Sequence, residues 1–103
     1  MNAVDYSGYP DCRPEFIAKF QELADHATKA TAAEHREIEV VTPLQELSKK
    51  DIVLLGTKLG APLQFTHSCY KGGEKACGIC DSCKLRLRGF AEAGIKDPVE
   101  YEE

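Results

Sequence analysis

Four of the five cysteines lie close together, Cys69, Cys77, Cys80 and Cys83, spaced C-x7-C-x2-C-x2-C. Two overlapping C-x-x-C steps hold three sulfurs within seven residues, and the fourth returns across a glycine-bearing loop. A chain with this spacing is expected to fold around a tetrahedral thiolate site. Zinc takes four such ligands, commonly delivered as C-x2–4-C pairs. Gly72, Gly73 and Gly78 supply the backbone freedom that tight turns around one ion require. His67, two residues before Cys69, is a further candidate that could replace one thiolate.

Three other chemistries compete. Disulfides are disfavoured by the odd cysteine count and by the lack of an apolar leader, which leaves nothing pointing to secretion. Cysteines in a chain of cytosolic character are more often metal-binding or catalytic than bridged. Iron–sulfur clusters also use C-x2-C-x2-C runs, usually with a nearby fourth cysteine followed by proline. Here Lys84 follows Cys83. A redox dithiol needs only one C-x-x-C. Structural zinc is the favoured expectation, because closed four-cysteine sites are usually structural.

The chain has 103 residues and a net charge of -4, and Asp97, Glu100, Glu102 and Glu103 account for all of that charge. The remaining 13 acidic side chains balance 13 basic ones, so no basic excess drives nucleic-acid binding. One local cluster, Lys71, Lys75, Lys84, Arg86 and Arg88, reads either as a solvated face or as an anion surface, with the first preferred. No stretch reaches the apolar length of a membrane span.

Residues 1–12 read as a loop rich in groups that contact small polar ligands: Asp5, Tyr6, Ser7, Tyr9 and Asp11, followed by Arg13. A helix is predicted from Arg13 to Thr28, with Asp11 as its cap, Pro14 in its first turn and an apolar stripe through Phe16, Ile17, Phe20, Leu23, Ala24 and Ala27. Residues 29–36 are small and polar and read as a connector. Glu37 to Val41 alternates and predicts a short strand ended by Pro43. A lone strand must pair with something, which suggests that part of a sheet is missing.

A second helix starts at Ser48, with Asp51 near the capping-box position, and stops at Gly60. Gly56 inside it suggests a close helix approach. Leu63 to His67 is a short extended piece. The last helix runs from Asp81 or Ser82 to Ala93, with an inner stripe of Cys83, Leu87, Phe90 and Ala91. Cys80 and Cys83 then stand at a helix start, where the positive dipole end favours thiolates. Residues 97–103 form an acidic tail that is expected to fray, leaving 1–96 as the structured portion. Cys12 is the odd cysteine and reads as a small buried residue near the first helix.

Two blocks carry a resemblance. Ser7-Gly8-Tyr9-Pro10-Asp11-Cys12-Arg13, with Phe16, is similar to the S-G-Y-P-D-C-R-x-x-F segment of the QueC family, the 7-cyano-7-deazaguanine synthases. Ser68-Cys69-Tyr70, Gly72-Gly73-Glu74-Lys75 and Cys77-Gly78-Ile79-Cys80-Asp81-Ser82-Cys83 resemble the zinc loop of that family, and Thr42-Pro43-Leu44 with Leu47-Ser48-Lys49 resembles its middle segment. The likeness runs from about Asn2 to Pro98. It implies an α/β fold of the Rossmann-like PP-loop/HUP type, represented here by a mostly helical C-terminal portion with three helices and one or two short strands.

It also implies an ATP-dependent, cytoplasmic, ligase-like enzyme of the queuosine pathway. Such an enzyme converts 7-carboxy-7-deazaguanine and ammonia to 7-cyano-7-deazaguanine through two ATP-dependent steps. The resemblance makes Cys69, Cys77, Cys80 and Cys83 ligands of a structural zinc. It places Asp5, Tyr6, Asp11, Arg13 and Tyr70 near the substrate, Tyr70 in a stacking or pocket role. The family's S-G-G-x-D-S phosphate loop is not among these 103 residues, and Ser7-Gly8 does not replace it. The expectation is therefore a C-terminal half without its ATP site, inactive alone, completed by an N-terminal half and prone to self-association or a homodimer through apolar surface. A stand-alone zinc-binding interaction module without catalysis is the alternative.

Overall fold

The computed structural model describes residues 1–5 and 8–102. They divide into two units, Met1–Glu46 and Leu47–Glu103. That division falls inside the 1–96 portion expected from sequence.

In the first unit the chain opens on an Asx turn. The Val4 N–H donates to the Asn2 side-chain oxygen at 3.0 Å, and the Asn2 N–H donates to the Asp5 carboxylate at 2.9 Å. A 3-10 turn, Pro10–Cys12, precedes the first helix, α1 (Pro14–Ala27). Asp11 lies inside that turn, so the N-cap position falls to Arg13 rather than to Asp11 as expected. Pro14 opens the helix because its missing N–H would have been unpaired there in any case. The apolar stripe forms, with the Phe16 and Phe20 ring centroids 6.0 Å apart, yet no α1 residue is buried.

Thr28 ends α1 and caps a one-turn helix, α2 (Lys29–Ala32), by accepting from the Thr31 N–H at 3.3 Å. The expected connector therefore begins with a helical turn. His35 follows at φ 55.

No strand forms among the described residues, and the expected strand at 37–41 carries no regular secondary structure. Its backbone is met by a side chain. The Gln21 amide donates to the Ile38 carbonyl at 2.8 Å, and the Val40 N–H donates to the Gln21 oxygen at 2.6 Å. The amide reproduces one rung of a ladder, and a strand needs a second backbone to supply the rest.

The second unit is built on α3 (Lys49–Lys58) and α4 (Asp81–Ala93). α3 starts in the expected capping box, with the Asp51 N–H donating to Ser48 Oγ at 3.2 Å and the Ser48 N–H to the Asp51 carboxylate at 3.3 Å. The close approach of the two helices is set at Gly89. A Cβ there would lie 2.6 Å from Lys49 Cβ and 3.1 Å from the Lys49 carbonyl carbon. Gly56, the glycine suspected from sequence, packs instead under Leu63. A 3-10 turn, Leu63–Phe65, leads into the cysteine loop, and Gly94 at φ 71 closes α4.

The stripe that α4 buries is Cys83, Arg86, Gly89 and Phe90, while Leu87 stays exposed. Residues 97–102, expected to fray, are held by specific contacts. Asp97 is buried, and the Ala76 backbone pairs with that of Tyr101 in a parallel bridge, donating to the Glu100 carbonyl at 3.0 Å and accepting from the Glu102 N–H at 2.8 Å.

Candidate metal centre

The cysteine loop makes two similar turns. Cys69 Sγ accepts from the Lys71 N–H, and Cys77 Sγ accepts from the Ile79 N–H, each at 3.4 Å. Cys77 Sγ also accepts from the Cys80 N–H at 3.3 Å, and Cys69 Sγ from the Cys77 N–H at 3.4 Å. Gly72 at φ 71 and Gly78 at φ 76 let the backbone curl back after each cysteine. Cys80 is the N-cap of α4, its sulfur accepting from the Cys83 N–H at 3.5 Å.

These turns aim four sulfurs inward. The Sγ atoms of Cys69, Cys77, Cys80 and Cys83 all lie within 4.8 Å of one another. A tetrahedron of Zn–S bonds of about 2.3 Å has edges of roughly 3.8 Å, so the set needs only a small contraction to hold one ion. The Cys77 and Cys83 sulfurs are 4.0 Å apart, far beyond the ~2.05 Å of a disulfide, and all five cysteines are free thiols. So tight a set suits a single ion rather than a cluster of several. His67 stands outside it, its Nε2–H directed at the Cys69 carbonyl at 2.9 Å.

Electrostatics separate the thiols. Backbone N–H donors, from Cys77 and then Lys71, lower the pKa of Cys69. The N–H groups of Tyr70 and then Cys83 bring Cys80 down to about 6. Burial pushes Cys83 up to about 12, with the neighbouring thiols adding to the rise. Donors thus invite negative charge while the innermost sulfur resists it. A cation among the four removes that opposition, since a coordinating thiol is deprotonated outright. The donor set fits a metal ion.

Around the sulfurs runs a polar frame that the sequence reading missed. Arg86 is buried and pairs with Asp97 through Nε at 2.7 Å and a second nitrogen at 3.1 Å. It also donates to Ser68 Oγ at 3.0 Å and to the Leu63 carbonyl at 3.4 Å, and its guanidinium lies 5.4 Å from the Phe90 ring centroid. The Tyr101 hydroxyl donates to Asp97. Burial alone would raise the Asp97 pKa; the bonds from Arg86 and Tyr101 outweigh it and hold the carboxyl below 3.8. Arg86 therefore does not belong to the solvated basic cluster in which its neighbours Lys84 and Arg88 stand. Its position three residues after Cys83 and four before Phe90, on the buried stripe, was the available signal.

The other expected site residues are spread over the two units. Asp5, Asp11 and Arg13 lie in the first, Asp5 within the opening Asx turn. Tyr6 lies outside the described residues. Tyr70 lies in the second unit beside Cys69, with its side chain exposed. Cys12 is half-buried, and its thiol pKa is raised by desolvation and by Asp11 and Asp5, which is unlike a nucleophile.

Comparison with known proteins bears on this site. A family model described as queuosine biosynthesis protein QueC matches residues 1–94. A 7-cyano-7-deazaguanine synthase 2 of Desulfitobacterium hafniense strain Y51 is 58% identical over 98% of this chain and 43% of its own length. Proteins named 7-cyano-7-deazaguanine synthase from Acetivibrio thermocellus and Thermoplasma acidophilum are each 56% identical, over 100% and 99% of this chain. The chain spans 46% and 42% of those two relatives.

Proposed function

The chain belongs to the QueC family, and from that premise we propose that it is the zinc-bearing part of a 7-cyano-7-deazaguanine synthase. The observation that carries the proposal is the group of four cysteine sulfurs within 4.8 Å of one another. Zinc on Cys69, Cys77, Cys80 and Cys83 has no open position for water, so it acts as a structural tie. The reaction proposed for the whole enzyme is the family's ATP-dependent conversion of 7-carboxy-7-deazaguanine and ammonia to 7-cyano-7-deazaguanine in the cytoplasm. ATP binding falls to the part of the relatives that this chain does not span, because the 103 residues contain no S-G-G-x-D-S loop. Asp5, Tyr6, Asp11, Arg13 and Tyr70 are the proposed substrate contacts, Arg13 offering charge for the carboxylate and Tyr70 a flat face. Their support is the family-like block around them.

The chain alone is then inactive, and its exposed Phe16, Phe20 and Leu23 favour self-association. Native mass spectrometry beside a denatured sample tests the metal and the oligomer together. One zinc per chain, lost with the fold, is the expected result; iron, or a metal-free chain lighter by hydrogens, overturns the zinc assignment. Adding the remaining segment of a relative in trans is expected to restore ATP turnover with 7-carboxy-7-deazaguanine. A folded complex without turnover overturns the enzymatic reading and favours a plain zinc-binding module.

A further inference from the structure

Three of the four cysteines follow a residue tied to one network. Ser68 precedes Cys69, and its hydroxyl accepts from Arg86. Its carbonyl accepts the hydroxyl of Ser82, which precedes Cys83, at 2.6 Å. Ala76 precedes Cys77 and is bridged to Tyr101. Arg86 and Tyr101 converge on the same buried carboxylate, Asp97. Tyr101 also packs on the cysteine cluster, its ring lying 3.5 Å from where a Cβ on Gly78 would stand.

Beside this network lies a cavity of about 490 Å³, lined by Cys69, Cys83 and Arg86 and by residues 98–101. The same short segment thus walls the cavity, covers the sulfurs and holds the backbone in front of Cys77. The cavity already borders Cys69 and Cys83, so moving this segment would widen the approach to them and free the backbone in front of Cys77. We propose that residues 97–102 form a latch over the four-cysteine site, closed by Asp97 on Arg86 and Tyr101, and that its opening sets the rate at which a bound metal ion enters or leaves. The inference rests on the metal assignment above, and it goes beyond it by naming what controls exchange.

The test is chelator competition on the zinc-loaded chain. Release into rising concentrations of EDTA is followed by native mass spectrometry of samples taken over time, as the zinc-loaded fraction of the chain. If exchange waits for the latch, the rate levels off at high EDTA, and the plateau is the opening rate. Tyr101→Phe removes only the hydroxyl bond to Asp97. It is expected to raise the plateau on the order of tenfold while one zinc per chain is retained. Asp97→Asn is expected to raise it further. Glu92→Gln, in the exposed Arg88–Glu92 pair of the same helix, serves as the control and is expected to leave the plateau unchanged. A structural role without gating would lower thermal stability and leave the plateau alone.

An unmoved plateau in zinc-retaining Tyr101→Phe overturns the latch, as does an equal rise in Glu92→Gln. Should Asp97→Asn fail to fold, Tyr101→Phe still decides. A wild-type chain that takes up no zinc overturns the metal assignment itself, and the latch with it.

Discussion

Arg86 and Asp97 leave almost no charged surface to water, with side-chain exposures of 9% and 3%. Removing one member of such a pair strands the other, at a cost of about 3 kcal/mol or more. Arg86→Ala is therefore expected to lower the urea midpoint sharply, and Arg86→Ala with Asp97→Asn to recover part of the loss. Asp97 also carries a pH signature. Its carboxyl pKa is lower in the fold than the ordinary 3.8, so its stabilising effect is complete above 3.8 and fades as pH falls towards the folded value. The melting gap between wild type and Asp97→Asn is expected to be constant near neutrality and to narrow below pH 3.8; a gap that widens in acid would refute the sign. That the four cysteines converge was legible because three of them fall within seven residues and the fourth returns across a glycine-bearing loop. Arg86 was not, because a charge beside Lys84 and Arg88 looks solvated until its partner eleven residues later is brought to it.

Elements succeeded or failed by how local their determinants are. The Ser48–Asp51 box uses two side chains and two N–H groups within four residues, so it could be read directly. Ser48→Ala is expected to cost about 1 kcal/mol, read as a lower melting temperature. The contact of α3 with α4 depends on Gly89, whose missing side chain matters only once Lys49 lies against it. Gly89→Ala pushes a Cβ against backbone rather than a flexible tip, so a loss of about 1–3 kcal/mol is expected, visible as a drop of several degrees in melting temperature. Gly56→Ala is expected to be far milder, since its new Cβ would meet Leu63 at an ordinary 3.5 Å. The segment at 37–41 has strand-like alternation, yet alternation specifies a face and not a partner, and the Gln21 amide is the partner present.

For the molecule as a whole, the weight of the interior rests on sulfur. Among the described residues the buried apolar ones are Val53, Cys69, Ala76, Cys77, Cys83 and Phe90, of which Cys69, Ala76, Cys77 and Cys83 pack as one cluster. Among the described residues of the first unit only Asn2 is buried. So small a core depends on a staple. EDTA is expected to collapse the cysteine loop and to reduce helical circular dichroism, reversibly on adding zinc. Cys80→Ser is expected to do the same without chelator. The division at residue 46, and the exposure of the α1 stripe, were not legible because periodicity shows which residues share a face and not whether anything covers it.

A core of leucines is inert to the redox state of its surroundings, and this one is not. Any oxidant that joins two of these sulfurs must draw them from several ångströms to bond length, taking two donors from the proposed metal site and displacing the core of the second unit in one step. Peroxide is then expected to unfold the second unit at doses that leave an ordinary hydrophobic interior untouched, read as a loss of helical circular dichroism that a reductant reverses.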